Sequence, residues 1–140
     1  MRIVAETLRW IGTPYLHQQS ARGHGCDCLG LVAGVWRSLG GMAPILPAYT
    51  ADWGEVSGRE YILEAARQWL APLAIGEAAP GDLLVFRWRP GAVAKHLGIL
   101  VAERRFVHAH EGVGVVQAAL VPQWARRIAA AFRFPEFPAD

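Results

Sequence analysis

A chain of 140 residues with 53% hydrophobic and 19% charged residues is one domain's worth of sequence and too apolar to stay disordered. Its clean apolar runs are about as short as Ile128-Ala-Ala-Ala-Phe132, against about 20 residues for a membrane span, and two cysteines cannot make a disulfide framework. A net charge of +2 excludes a strongly basic nucleic-acid binder. Glu6 and Arg9 stand where a secretion signal would keep its apolar region, so no signal peptide is expected and the chain is read as made in the cytoplasm. The basic residues are thirteen Arg against the single Lys95, a balance suited to local anion contacts.

Ile3, Val4, Leu8 and Ile11 predict one face of a helix ending at Gly12. Thr13-Pro14 breaks it, and Gly23 and Gly25 mark a loop. Cys28, Leu31, Val32, Val35, Trp36 and Leu39 follow i, i+3, i+4, i+7, i+8, i+11, the cleanest helical stripe of the chain. Gly40-Gly41 stops it. Residues 42–56 read as a long loop with Tyr49 and Trp53. Ser57-Gly-Arg-Glu60 has the form of a capping box, opening a helix through Tyr61, Leu63, Ala66, Trp69 and Leu70 that Pro72 ends.

The period then changes. Pro80-Gly81-Asp82 is a turn, and strands are predicted at Leu83–Trp88, His96–Ala102, Phe106–His110, Val113–Gln117 and Ile128–Phe134. Residues 135–140 read as an irregular tail. Helices followed by an antiparallel sheet make an α+β layout in a single domain over residues 1–140.

Cys28 stands in the first turn of the best helix, after a glycine-rich loop. Unpaired N–H groups and the positive helix end favour an anion there, so the thiol is expected to ionise easily. Asp27 is placed to cap the helix. Gly23, Gly25 and Gly30 leave room for a substrate. A nucleophilic Cys needs a base and the base an orienting partner; His96 and His108 lie in neighbouring predicted strands. With Glu103-Arg104 as a two-residue turn, however, His108 falls opposite Ile99 and His96 opposite Glu111. The two rings then face opposite sides unless a bulge or twist intervenes, and His110 is a possible substitute for His108. His24, Cys26, Cys28, His96, His108 and His110 could supply zinc ligands, but Cys-x-Cys is not a zinc-knuckle spacing, so no metal is expected. Both cysteines are read as thiols, a Cys26–Cys28 bridge being strained. Tyr15 could donate to a developing oxyanion beside the Cys28 N–H.

Gly12-Thr-Pro-Tyr15, Asp27-Cys-Leu-Gly-Leu31, Pro80-Gly-Asp-Leu83, His96-Leu-Gly-Ile99 and Phe106-Val-His-Ala109 together resemble the NlpC family of bacterial cell-wall cysteine peptidases, over residues 10 to about 117. The resemblance implies a papain-like fold with the nucleophile at a helix N-terminus packed on an antiparallel sheet. It implies Cys28 as nucleophile, His96 as general base, His108 as its orienting residue and Tyr15 on the oxyanion side, with no cofactor. Leu29 replaces the family's usual Ser, and residues 16–26 replace its Gly-Gly-containing stretch. The implied substrate is the stem peptide of peptidoglycan, whose free carboxylates Arg22, Arg87 or Arg89 could contact.

Tyr15-Leu-His-Gln18 and Gly25-Cys-Asp-Cys28 are similar to the branch of cell-wall peptidases found with phage tails and gene-transfer-agent particles. That similarity implies a tail hub or baseplate protein as partner and a particle-borne route to the cell wall or periplasm. Trp53, Phe134 and Phe137 could help dock such a partner, with core packing the favoured reading of each. The alternatives are a catalytically idle tail module of the same fold, and an amidase or acyltransferase on the same scaffold.

Overall fold

The computed structural model describes residues 2–40 and 57–137; the predicted 42–56 loop, with Trp53, and the last three residues of the tail lie outside them. Helix α1 (Arg2–Arg9) is turned differently from its predicted stripe. Leu8 and Ile11 are exposed, and Glu6, Thr7 and Trp10 are buried instead. The cause is the Trp10 indole, which lies over Gly34, where an added Cβ would meet its ring at 2.1 Å. It donates to Glu6 Oε2 at 3.1 Å, and Thr7 Oγ1 bonds the Ile3 carbonyl at 2.7 Å. Both buried polar side chains are thus satisfied.

A two-stranded hairpin of β1 (Ser20–Ala21) and β2 (Gly25–Cys26) follows, where a plain loop is predicted. Gly23 turns it at φ +81°, a backbone glycine takes without cost. Helix α2 (Cys28–Ser38) forms as its stripe predicts, with Leu31, Val35, Trp36 and Leu39 buried. Helix α3 (Tyr61–Trp69) forms without the capping box. The Ser57 hydroxyl instead accepts from Arg59 N–H at 3.2 Å, closing a local turn. Glu60 is drawn away to the sheet: Arg87 Nη1 donates to its Oε2 at 2.6 Å and Ala94 N–H to its Oε1 at 2.7 Å.

Among the described residues, six strands build one antiparallel sheet: β3 (Ala71–Leu73), β4 (Leu83–Arg87), β5 (Ala94–Ala102), β6 (Arg105–His110), β7 (Gly114–Ala119) and β8 (Ile128–Arg133). Their order is β3-β8-β4-β5-β6-β7. Pro72 sits in β3, at the sheet edge, where its missing N–H costs no ladder bond. Side chains alternate across the sheet, and each face has its own core. Leu83, Val85, Leu97, Ile99, Val107 and Phe132 pack with Leu31, Val35 and Trp36 of α2. Leu84, Phe86, Leu100, Phe106 and Ala131 form a smaller core with Trp124, carried by the four-residue helix α4 (Pro122–Ala125). Phe134 and Phe137 pack on the Trp36 ring at 6.0 and 5.5 Å between centroids. Core packing, the favoured reading of both from the sequence, is what the structure shows: Phe134 is buried in the core cluster and Phe137 packs against it. No helix among the described residues is long and apolar enough to cross a membrane.

Candidate active site

The tip of α2 meets the sheet where β4 and β6 end and β5 begins. There a cleft of about 440 Å³ opens, with Tyr15, Asp27, Cys28, Trp88, His96 and His108 in its lining. Asp27 caps α2 as the sequence predicts. Its Oδ1 accepts from Gly30 N–H and its Oδ2 from Gln18 N–H, both at 2.8 Å. The carboxylate therefore ties the 16–26 segment to the helix as well as satisfying an open donor of the first turn. Gly30 is required here for space: a Cβ would stand 1.8 Å from the Gln19 carbonyl oxygen.

The Cys28 thiol points at β5 and donates to the Lys95 carbonyl at 3.8 Å. The expectation of an easily ionised thiol is corrected. Burial pushes it up to about 12, the Asp27 carboxylate adds to this, and backbone N–H groups of Leu97, Leu29 and Cys28 oppose it without prevailing. A helix end is worth at most ~2 kcal/mol in partly buried geometry, and desolvation of a thiolate outweighs it. Burial thus favours the thiol form of the resting sulfur.

His96 Nε2 and His108 Nδ1 are 2.8 Å apart. The predicted opposition of faces is removed by a β-bulge. Ala102 pairs with Arg105 as a two-residue turn requires, but Leu100 pairs with Phe106 and Ile99 with Val107. Val101 is the extra residue, and beyond it the even-numbered residues of β5 and β6 share one face. A second bulge lies beside His96: Phe86 pairs with His96 and Arg87 with Ala94. Lys95 is the extra residue of this bulge, and its carbonyl meets the thiol. Bulges re-aim side chains in this way next to functional clefts. Burial lowers His96 to about 3, followed by the influence of His108 and His110. His108 is lowered to about 4 by burial and then by His110. Both imidazoles are neutral at physiological pH.

Tyr15 is aimed into the cleft by the segment before it. Gly12 N–H donates to the Val115 carbonyl, and Val115 N–H to the Thr13 carbonyl, both at 2.9 Å. Tyr15 then bridges to Cys26. Burial, then the neighbouring Cys28, Asp27 and Glu111, push its hydroxyl up to about 12, so it remains a hydrogen-bond donor. Cys26 is fully buried and Cys28 half-buried, both as free thiols. His110 is exposed at the end of β6, its ring 5.4 Å from that of His108; the substitute for His108 is not the residue bonded to His96. Arg22 reaches Glu6 at 3.5 Å and lies outside the cleft lining, while Arg87 is held by Glu60. Among the described residues no three His, Cys, Asp or Glu side chains gather to hold a metal.

Residues 12–133 match the NlpC/P60 family. The chain belongs to that family. Among curated proteins, this NlpC/P60 chain is 28% identical over 127 residues to the murein DD-endopeptidase MepS/murein LD-carboxypeptidase of Escherichia coli K12, covering 90% of this chain and 58% of that protein. It is 27% identical over 117 residues to the probable endopeptidase NlpC of the same strain, covering 79% and 62%. The chain thus spans about three-fifths of the length of these relatives. Among solved structures it resembles the NlpC/p60 domain of the peptidoglycan hydrolase SagA, with TM-score 0.66, 25% identity and 95% and 97% coverage. It also resembles an NlpC/P60 family protein from Bacillus cereus ATCC 10987, with TM-score 0.67 and 17% identity over 95% of this chain and 39% of that one. The α+β, papain-like architecture expected from the sequence is that of this NlpC/P60 group.

Two residues of the NlpC/P60 site carry no sequence signal beyond their type. The Trp88 ring lies 5.0 Å from the His96 ring. Trp124 lies 5.8 Å from His96 and 5.0 Å from His108. Trp88 stands just past a strand end and Trp124 in a four-residue helix, where no periodicity could assign a facing.

Proposed function

We propose that this chain is a cysteine endopeptidase cleaving peptide bonds in the stem peptides of peptidoglycan, with Cys28 as nucleophile, His96 as general base and His108 as the residue orienting it. The observation that carries this reading is the 2.8 Å bond between His96 Nε2 and His108 Nδ1 in the cleft that the Cys28 thiol also lines. With Nε2 donating to His108, Nδ1 of His96 is the nitrogen left to accept a proton.

The resting pair is neutral, so the proton leaves sulfur as sulfur attacks. Sγ bonds to the carbonyl carbon and its proton passes to His96. The carbonyl oxygen becomes an oxyanion that the Tyr15 hydroxyl and the Cys28 N–H are placed to receive. His96 then gives the proton to the departing amine, leaving a thioester, and water, deprotonated by the same imidazole, hydrolyses it. The supported kinship with peptidoglycan-acting relatives favours the stem peptide as substrate. Carriage on a phage-like tail, bound to a hub or baseplate protein, belongs to the same proposal. It rests on the similarity of the segments 15–18 and 25–28, which lie side by side through the Leu16 N–H to Cys26 carbonyl bond of 3.1 Å.

Digestion of purified peptidoglycan and defined stem peptides by the wild type and Cys28→Ala tests the reading, with fragments identified by mass spectrometry. New amino and carboxyl termini within the stem, absent with Cys28→Ala, are the expected result. Undiminished cleavage by Cys28→Ala removes the nucleophile, and cleavage at the sugar–peptide amide alone makes the protein an amidase.

A further inference from the structure

The imidazole pair is enclosed on the side away from α2 by aromatic rings that the reaction itself does not use. Trp124 is their meeting point. Besides both imidazoles, it touches Phe86 and Phe106, each at 5.3 Å, and Trp88 at 5.7 Å. Trp88 closes the cleft side of His96, inclined 30° to its ring. The Arg127 guanidinium lies over both indoles, 5.8 Å from Trp88 and 5.7 Å from Trp124, and cation–π attraction holds the two together. A short helix between two strands thus carries one large side chain whose contacts converge on the two groups that must hold and pass a proton.

We propose that Trp124 is a positioning residue of this site, roofing the His96–His108 pair together with Trp88 so that both imidazoles stay dry, bonded to each other and uncharged. The inference rests on the peptidase reading for its consequence in catalysis, but the roof can be measured without activity. Water admitted beside a buried imidazole restores solvation of its protonated form, so opening the roof makes both rings easier to protonate. The groups facing the pair set the background. His110 on β6 and the Arg127 cation oppose protonation of the rings, Glu111 at the cleft rim favours it, and Cys28 and Tyr15 are uncharged at neutral pH. Neutral imidazole is the competent base, so activity that depends on it falls below its pKa. The acid limb of kcat/KM therefore moves to higher pH when the roof is opened.

The test is NMR titration of the histidine side chains in the full chain, for wild type, Trp124→Leu and Trp124→Phe, beside the pH profile of stem-peptide cleavage. In the wild type His96 and His108 are expected to resist protonation down to pH 5. In Trp124→Leu both titrate nearer the ordinary value of about 6.5, and kcat/KM at pH 5 falls at least threefold relative to pH 8, with Trp124→Phe restoring most of the loss. If Trp124→Leu does not fold, Trp88→Ala carries the test, because Trp88 is 44% exposed and its removal opens the roof from the cleft. Histidine titrations that coincide in wild type and the folded roof variant overturn the proposal. Absence of Cys28-dependent cleavage by the wild type overturns the peptidase reading instead, and leaves the titrations to decide the roof.

Discussion

His96 Nε2 and His108 Nδ1 share one hydrogen bond of 2.8 Å, and the bond determines which nitrogen of His96 is left to work. His108→Ala leaves the His96 N–H without its partner in a buried site, and the imidazole becomes free to turn. His108→Gln keeps an acceptor. We expect His96→Ala to lower kcat/KM roughly 10²–10⁴-fold, the range of general acid–base catalysis. His108→Ala should come close to it and His108→Gln should fall between His108→Ala and wild type. Steady-state kinetics on a defined stem peptide measure all three, and equal rates for His108→Ala and wild type would remove the orienting role.

Alkylation of Cys28 is expected to be slow. With the thiol pushed up to about 12, little thiolate exists at pH 7, and the thiolate is the form that reacts. Its iodoacetamide rate should lie below that of a small free thiol at pH 7 and climb about tenfold per pH unit through pH 9. Mass spectrometry of the modified peptide separates Cys28 from the fully buried Cys26. A rate that levels off below pH 6 would instead reveal a standing thiolate–imidazolium pair.

Stability should fall on the acid side. Both imidazoles have folded values below the ordinary 6.5, about 3 for His96 and about 4 for His108. The unfolded chain therefore takes up their protons first. Their contribution is whole above pH 6.5 and declines as pH drops toward 4, by about 1.4 kcal/mol per imidazole for each pH unit within that window. Urea midpoints at pH 7.5, 6 and 5 read this slope. In His108→Gln the slope should be shallower, and an unchanged slope would contradict the assignment.

Gly30 offers a test of the packing beneath the thiol. A Cβ there would stand 1.8 Å from the Gln19 carbonyl, a backbone atom that cannot swing aside. Gly30→Ala should cost about 3 kcal/mol or more, seen as a large drop in melting temperature. Asp27→Ala removes the cap and the tie to Gln18, with an expected loss of about 1–2 kcal/mol.

Much of this was readable in residue types. The α2 stripe, the cap at Asp27 and the five main strands follow from periodicity and turn chemistry, because they are local. The rest is not local. The stripe on α1 misleads because the Trp10 indole, bonded to Glu6, is what fits over Gly34. The capping box fails because Glu60 finds Arg87 and the Ala94 N–H across the fold. The facing of His96 and His108 depends on an unpaired residue at Val101, an ordinary strand former that does not mark a bulge. The ionisation state of Cys28 depends on how the sheet covers its sulfur, against which the helix end alone is a weak guide.

Val101 makes the meeting of the two imidazoles a matter of parity. His96 and His108 are twelve positions apart, a spacing that unbroken pairing around a two-residue turn would place on opposite sides of the sheet, and the one extra valine corrects the count. Pairing Val101 directly with Phe106 would slip β5 by one residue against β6 and part the two rings without altering any acid, base or nucleophile. Counting, rather than chemistry, would then have disarmed the protein, whereas a homologue one residue shorter between its two histidines would need no bulge to bring them together.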